Sequence, residues 1–147
     1  MNLNGDITKS SIKSNILKLI RPNFKSIYDI HDPIGLHFLF QLRTGLSPLR
    51  SHKCHHNFAD TPTDNCICNR GVENSHHYLF ECFQFATQRV DLAVNINNIL
   101  QNYNMELNPA NDVEFYLYGH SDLSFDDNKK VLLSTIRYIK RTGRFQG

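Results

Sequence analysis

Four residues constrain this chain more than any others: Cys66, Cys68, His77 and Cys82. They lie in and just after a stretch from Ala59 to Val72 that is rich in turn formers (Asp60, Pro62, Asp64, Asn65, Asn69, Gly71) and poor in apolar residues. Such a segment cannot bury enough surface to order itself, so it reads as a loop and short hairpin rather than a helix. Three thiols and an imidazole in that setting have the composition of a structural zinc site, which closes four nitrogen and sulfur ligands into a tetrahedron. Residues i and i+2 of an extended segment face the same way, so Cys66 and Cys68 can converge on one ion. Asn69 and Gly71 can supply the tight bend that this short spacing needs. His77 and Cys82 are five residues apart, about 140° around an ideal helix. They can share an ion only if His77 sits in an irregular first turn, with Asn74 or Ser75 as the cap.

His76 competes with His77 for the imidazole position; spacing does not separate them, and the expectation is set on His77. Cys54, His52, His55 and His56 are further competitors. His52 and His56 stand one helical turn apart and could bind a second ion, but a satisfied structural pair or exposed residues is the expected reading. With no secretory signal pattern, the four cysteines are read as metal ligands or free thiols rather than disulfides. Three thiolates and one dication leave a net charge of −1, so the ion itself does not attract phosphate. A closed shell also leaves no position for an activated water. The expected cofactor is therefore one structural Zn²⁺. Binding of this kind contributes on the order of 10–16 kcal/mol, more than the whole stability of many domains.

Around this centre the apolar pattern is helical, and the 147 residues suffice for one modest core. Residues 1–8 are expected to fray. Ser10 or Ser11 can cap a helix with Ile12, Ile16, Leu19 and Ile20 on one stripe, ended by Pro22. Asp32 before Pro33 is a second start signal. The run that follows, Ile34 to Leu42, is apolar nearly all round up to Gly45 and predicts a deeply buried helix. Ser47–Pro48 restarts a helix through about His56. A helix capped at Asn74 or Ser75 should carry Leu79, Phe80, Phe83 and Ala86. Val90 to Leu100 has another helical stripe, and Val113–Tyr118 is ambiguous between helix and strand. Ser124 or Asp126 caps a last helix with Val131, Leu132, Thr135, Ile136 and Ile139 on its stripe. The fold class is thus mostly α, a small helical domain with a zinc-stapled hairpin of the Cys-x-Cys…His-x-x-x-x-Cys knuckle form. The organisation is one compact domain: N-terminal helices over 1–59, the zinc segment over 60–85, and C-terminal helices over 86–147.

The small net charge of +2 conceals segregation. Residues 1–59 hold eight Lys/Arg against three Asp/Glu, residues 60–128 two against eleven, and residues 129–147 six against none. That pattern favours an anionic partner at the basic ends, or docking of acidic and basic surfaces within one assembly. Candidate phosphate contacts are Arg43, Arg50 and Lys53 before the hairpin, and Arg137, Lys140, Arg141 and Arg144 at the end. Phe58, Phe83 and Phe85 could stack on bases, with apolar packing the more ordinary role. No apolar run reaches the roughly 20 residues of a membrane span, no small-molecule substrate is indicated, and an intracellular location, nucleus or cytoplasm, is expected.

Leu42-Arg43-Thr44-Gly45, then Cys66-Ile67-Cys68, Glu73 and His77-Tyr78-Leu79-Phe80-Glu81-Cys82 together resemble the zinc-binding segment downstream of the reverse transcriptase domain in non-LTR (LINE-type) retrotransposons. The likeness runs from about Gly35 to Leu100. It implies Cys66, Cys68, His77 and Cys82 as ligands, Glu73 as the acidic residue before the His, and Arg89 as a further family feature. Phe83 departs from the Pro that many relatives place after the last Cys, and Cys54 takes an aromatic position, implying a buried apolar filler. What the resemblance implies is a non-catalytic accessory module that contacts RNA or DNA during target-primed reverse transcription. The chain would then be a C-terminal fragment or degenerate copy of an RNA-directed DNA polymerase polyprotein. Phe125-Asp126-Asp127 has the letters of a polymerase motif but reads as a helix cap, and no endonuclease constellation is present. The alternative is a structural or protein-interaction module docking on the reverse transcriptase domain or another protein; a small zinc hydrolase fits three thiolates poorly.

Overall fold

The computed structural model describes residues 26–146; the helix expected between Ser10 and Ile20, and the fraying expected over 1–8, lie outside them. Residues 26–28 are helical, and five further α-helices follow in chain order: α1 (Pro33–Thr44), α2 (Arg50–His55), α3 (Ala86–Gln101), α4 (Asp112–Tyr118) and α5 (Phe125–Thr142). No strand forms among the described residues, and the fold is mostly helical, as the apolar periodicity predicts.

Helix α5 is the hub, packing against α1, α3 and α4. Its start and stop are local chemistry. Ser124 Oγ accepts the Asp127 amide at 3.1 Å, and Gly143 at φ 67° takes the left-handed position that ends the helix. Asn128, Val131, Leu132, Thr135, Ile136, Tyr138 and Ile139 are its buried residues. The Thr135 hydroxyl donates to the Tyr116 carbonyl at 2.7 Å and so ties α4 to this core.

Helix α1 begins as expected, with Pro33 at its first position and Asp32 Oδ1 accepting the Gly35 amide at 2.9 Å. Gly35 allows a close helix crossing: a Cβ there would lie 2.5 Å from Ile136 Cγ2. The expectation of all-round burial is corrected. Gly35, Phe38, Leu39 and Leu42 face inward, whereas Ile34 is 63% and Phe40 41% exposed. Helix α5, with a smaller contact from α4, covers only one stripe of α1.

Two further expectations change. The helix from Asn74 does not run on to Ala86. Cys82 adopts extended backbone (φ −62°, ψ 118°), a single 3₁₀ turn covers Phe83–Phe85, and α3 starts afresh. The hairpin also shrinks: only one antiparallel bridge, Asn65 to Val72, joins its arms. Val113–Tyr118 resolves as helix, its Phe115, Tyr116 and Leu117 buried.

Candidate metal centre

The turn that carries the cysteines is built from backbone bonds. The Cys66 amide donates to Gly71 O at 2.8 Å, the Asn69 amide to Cys66 O at 2.9 Å, and the Glu73 amide to Asp64 O at 2.9 Å. Asn69 (φ 62°) and Gly71 (φ 141°) hold the bend that the Cys-x-Cys spacing requires.

The His77–Cys82 spacing has a specific solution. Asn74 Oδ1 caps the His77 amide at 2.8 Å, and His77–Glu81 then forms a π-helical turn closed by Cys82 N to His77 O at 2.7 Å. A bond from i+5 to i widens the turn, so residues five apart stack on one side instead of diverging. Tyr78 anchors this turn below. Its ring lies 5.2–5.5 Å from those of Tyr138, Phe85 and Phe145, and its hydroxyl meets Thr142 Oγ1 at 2.6 Å. Arg89, from α3, donates to the carbonyls of Leu79 and Cys82 and so spans the break in the chain.

The ligand atoms of Cys66, Cys68, His77 and Cys82 all lie within 4.8 Å of one another. Cys66 and Cys82 sulfurs are 3.7 Å apart, and Cys68 Sγ is 3.3 Å from His77 Nε2. A tetrahedral ion with bonds of about 2.3 Å to sulfur would set sulfurs about 3.8 Å apart, so the donor set fits. All four cysteines of the chain are free thiols. Cys66, His77 and Cys82 are buried, with Cys68 half-buried. Burial pushes the Cys66 thiol up to about 12 when no ion opposes it. These four residues could hold one metal ion.

Gln84 was not singled out by the sequence. Its Nε2 donates to Cys82 Sγ at 3.3 Å and to Cys66 Sγ at 3.5 Å, the bonds a thiolate pair accepts around a metal. The other missed role is that of Glu73, only 2% exposed. It accepts from the Arg50 amide at 2.8 Å and from Arg144 through Nε at 2.9 Å and Nη2 at 2.6 Å. It thereby fastens the metal loop to both α2 and the chain after α5. An acidic residue inside an acidic stretch carries no sequence mark of this kind.

The competing ligands separate cleanly. His76 points away, its ring nitrogens 2.6 Å from Glu81 and 3.1 Å from Asp112. His52 Nδ1 meets Ser47 Oγ at 2.6 Å, while His55 and His56 are exposed. Cys54 is half-buried, its sulfur 3.7 Å from Pro62 O, rather than the buried filler that the resemblance implied. Of the three aromatics, Phe85 is core, whereas Phe58 and Phe83 are each 53% exposed, with the Arg70 guanidinium 4.9 Å from the Phe83 ring.

The basic candidates do not form one open band. Arg144 belongs to Glu73, which raises its pKa further. Arg43 is drawn into the fold, its Nε donating to Leu117 O at 2.8 Å and its guanidinium 4.5 Å from the Tyr118 ring; burial pushes it down to about 10. Lys53 pairs with Asp60 at 2.7 Å, Lys140 with Asp32, and Arg141 with Asp91. Arg50 is half-buried, with its Nε enclosed and unpartnered. Arg137 is exposed and makes no ion pair among the described residues. Much of the segregated charge therefore pairs within the chain, basic α5 against acids from elsewhere. No helix among the described residues is long and apolar enough to cross a membrane.

Comparison with known protein families, with curated proteins and with solved structures finds no match.

Proposed function

We propose that this chain is a non-catalytic accessory module, stapled by one zinc ion, that contacts RNA or DNA, in the manner of the segment downstream of a non-LTR retrotransposon reverse transcriptase. The observation that carries the reading is the convergence of the ligand atoms of Cys66, Cys68, His77 and Cys82 to within 4.8 Å of one another, with Gln84 bonded to two of the sulfurs. Three thiolates and one imidazole favour zinc over harder cations. Zinc supplies a rigid crosslink there, and a four-ligand shell has no place for substrate or water. What the residues do is positional: the π turn and the Cys-x-Cys bend are held together, and Glu73 carries that rigidity to α2 and the C-terminal arm. Nucleic-acid contact is supported by the resemblance and by the cations without an ion pair among the described residues, Arg137 on α5 and Arg50 on α2, with Lys130 held only loosely, 3.8 Å from Asp127.

The test has two arms. Elemental analysis of reduced, purified protein should give one zinc per chain. Titration against single-stranded RNA should show affinity falling linearly with log salt, because each phosphate contact releases counterions. A folded protein without metal, or no RNA or DNA binding at low salt, would refute the corresponding half. A protein-docking role is favoured instead by one observation, the exposed Leu46 and Phe58 that line one surface recess. It would show as zinc binding without nucleic-acid affinity.

A further inference from the structure

Helices α3 and α5 run antiparallel, and the groove between them is closed at both ends. The Arg141–Asp91 ion pair closes one end, and the Tyr103 hydroxyl bonded to Asp127 the other. Between these ties lies an open recess of about 370 Å³, floored by Ile99 and Leu133. Its α3 wall carries Asn95, Asn98 and Asn102, spaced by three and four residues so that the amides fall on one helical face. Its α5 wall carries Asp127, Lys130, Ser134 and Arg137 on the same kind of spacing, two cations against one carboxylate. None of the three carboxamides, nor the Ser134 hydroxyl, nor the Arg137 guanidinium, has a hydrogen-bond partner of its own side chain among the described residues. Lys130 has only the 3.8 Å approach of Asp127, whose other oxygen Tyr103 already engages.

A helix gains nothing in stability from Asn at such positions, since its propensity falls well below that of Ala, Leu, Glu or Lys. What the row does supply is donors and acceptors side by side. We infer that this groove is a binding site for a single-stranded nucleic acid, with phosphates on Lys130 and Arg137 and an unpaired base over Ile99 and Leu133, its edge met by Asn95, Asn98 and Asn102. Residues 130 and 137 are separated by about 10 Å of helix rise, room for successive phosphates of one strand. The recess, about 370 Å³, is sized for one nucleotide. Carboxamides pair with the exposed edges of unstacked bases, which single strands present and duplexes hide. The inference rests on the nucleic-acid reading above and gives it a location.

The experiment uses the zinc-loaded full chain and a fluorescent, mixed-sequence single-stranded RNA, read by anisotropy across a salt series. Arg137→Gln should weaken binding several-fold and lower the salt slope by roughly 0.7, one phosphate contact on a single strand. Asn98→Ala with Asn102→Ala should weaken binding comparably and leave the slope unchanged, because amide contacts release no counterions. Both substitutions sit on exposed helix surface and retain helix propensity, so circular dichroism should match the parent. Binding that survives both changes but is lost on Arg50→Gln would overturn the groove while keeping the nucleic-acid function. Equal affinity for duplex RNA would also overturn it. Failure of the parent protein to bind any strand would remove both, and polyglutamate binding lost on Arg137→Gln would reassign the groove to an acidic peptide.

Discussion

Replacing Arg144 by Met leaves the Glu73 carboxylate buried beside the metal loop without its guanidinium. Glu73 is 2% exposed and loses two of its three hydrogen bonds, keeping only the Arg50 amide. Breaking a buried ion pair from one side costs about 3–5 kcal/mol. The Arg144 side chain is 27% exposed, so water can enter and the cost should fall toward the lower end, about 2–3 kcal/mol. For a chain of this size that lowers the unfolding midpoint by roughly 10 °C. Glu73→Gln combined with Arg144→Met should recover much of the loss, because no charge is then left uncompensated, and a double-mutant cycle in urea isolates the coupling. A loss below about 0.5 kcal/mol for Arg144→Met, a value ordinary for surface substitutions, would refute the claim that Arg144 anchors the C-terminal arm. It would return that residue to the set free to meet phosphate.

Cys82→Ala should abolish stoichiometric zinc binding and melt the segment around residues 60–85. Cys54→Ala should keep the zinc and cost at most about 1 kcal/mol; equal losses would make Cys54 a ligand. Zinc affinity should depend on pH in a defined sense. Burial raises the Cys66 thiol to about 12 from an ordinary value of 9.0 when no ion is bound, so zinc must displace its proton, and affinity should weaken as pH falls and protons compete for the thiolates. Competition titrations with a chelator that show constant affinity across a pH series would contradict it. Gly35→Ala should cost about 1–3 kcal/mol by overpacking against Ile136, measured by thermal unfolding; a neutral result would mean that α1 and α5 can separate freely.

The donor set, the helix starts at Asp32–Pro33 and Ser124, and the apolar stripe of α5 were all legible in the residues, because each rests on chemistry within a few positions. A cap bonds an amide three residues on, a glycine ends a helix by its own dihedrals, and Cys-x-Cys converges through one bend. The choice of His77 over His76 already needed more, since it depends on a π turn held from beneath by Tyr138, Phe85 and Phe145. The fates of the basic residues were not legible at all. Arg137, Lys140, Arg141 and Arg144 share one helical neighbourhood and one charge. Lys140, Arg141 and Arg144 nonetheless meet Asp32, Asp91 and Glu73, acids from 50 to 108 residues away in the chain. The partner of a charged side chain is set by which distant segment packs beside it, and so is the exposed face of α1. Local sequence dictates which groups can pair, while only the packing of α5 against its neighbours decides which do, leaving Arg137 open above a row of asparagines.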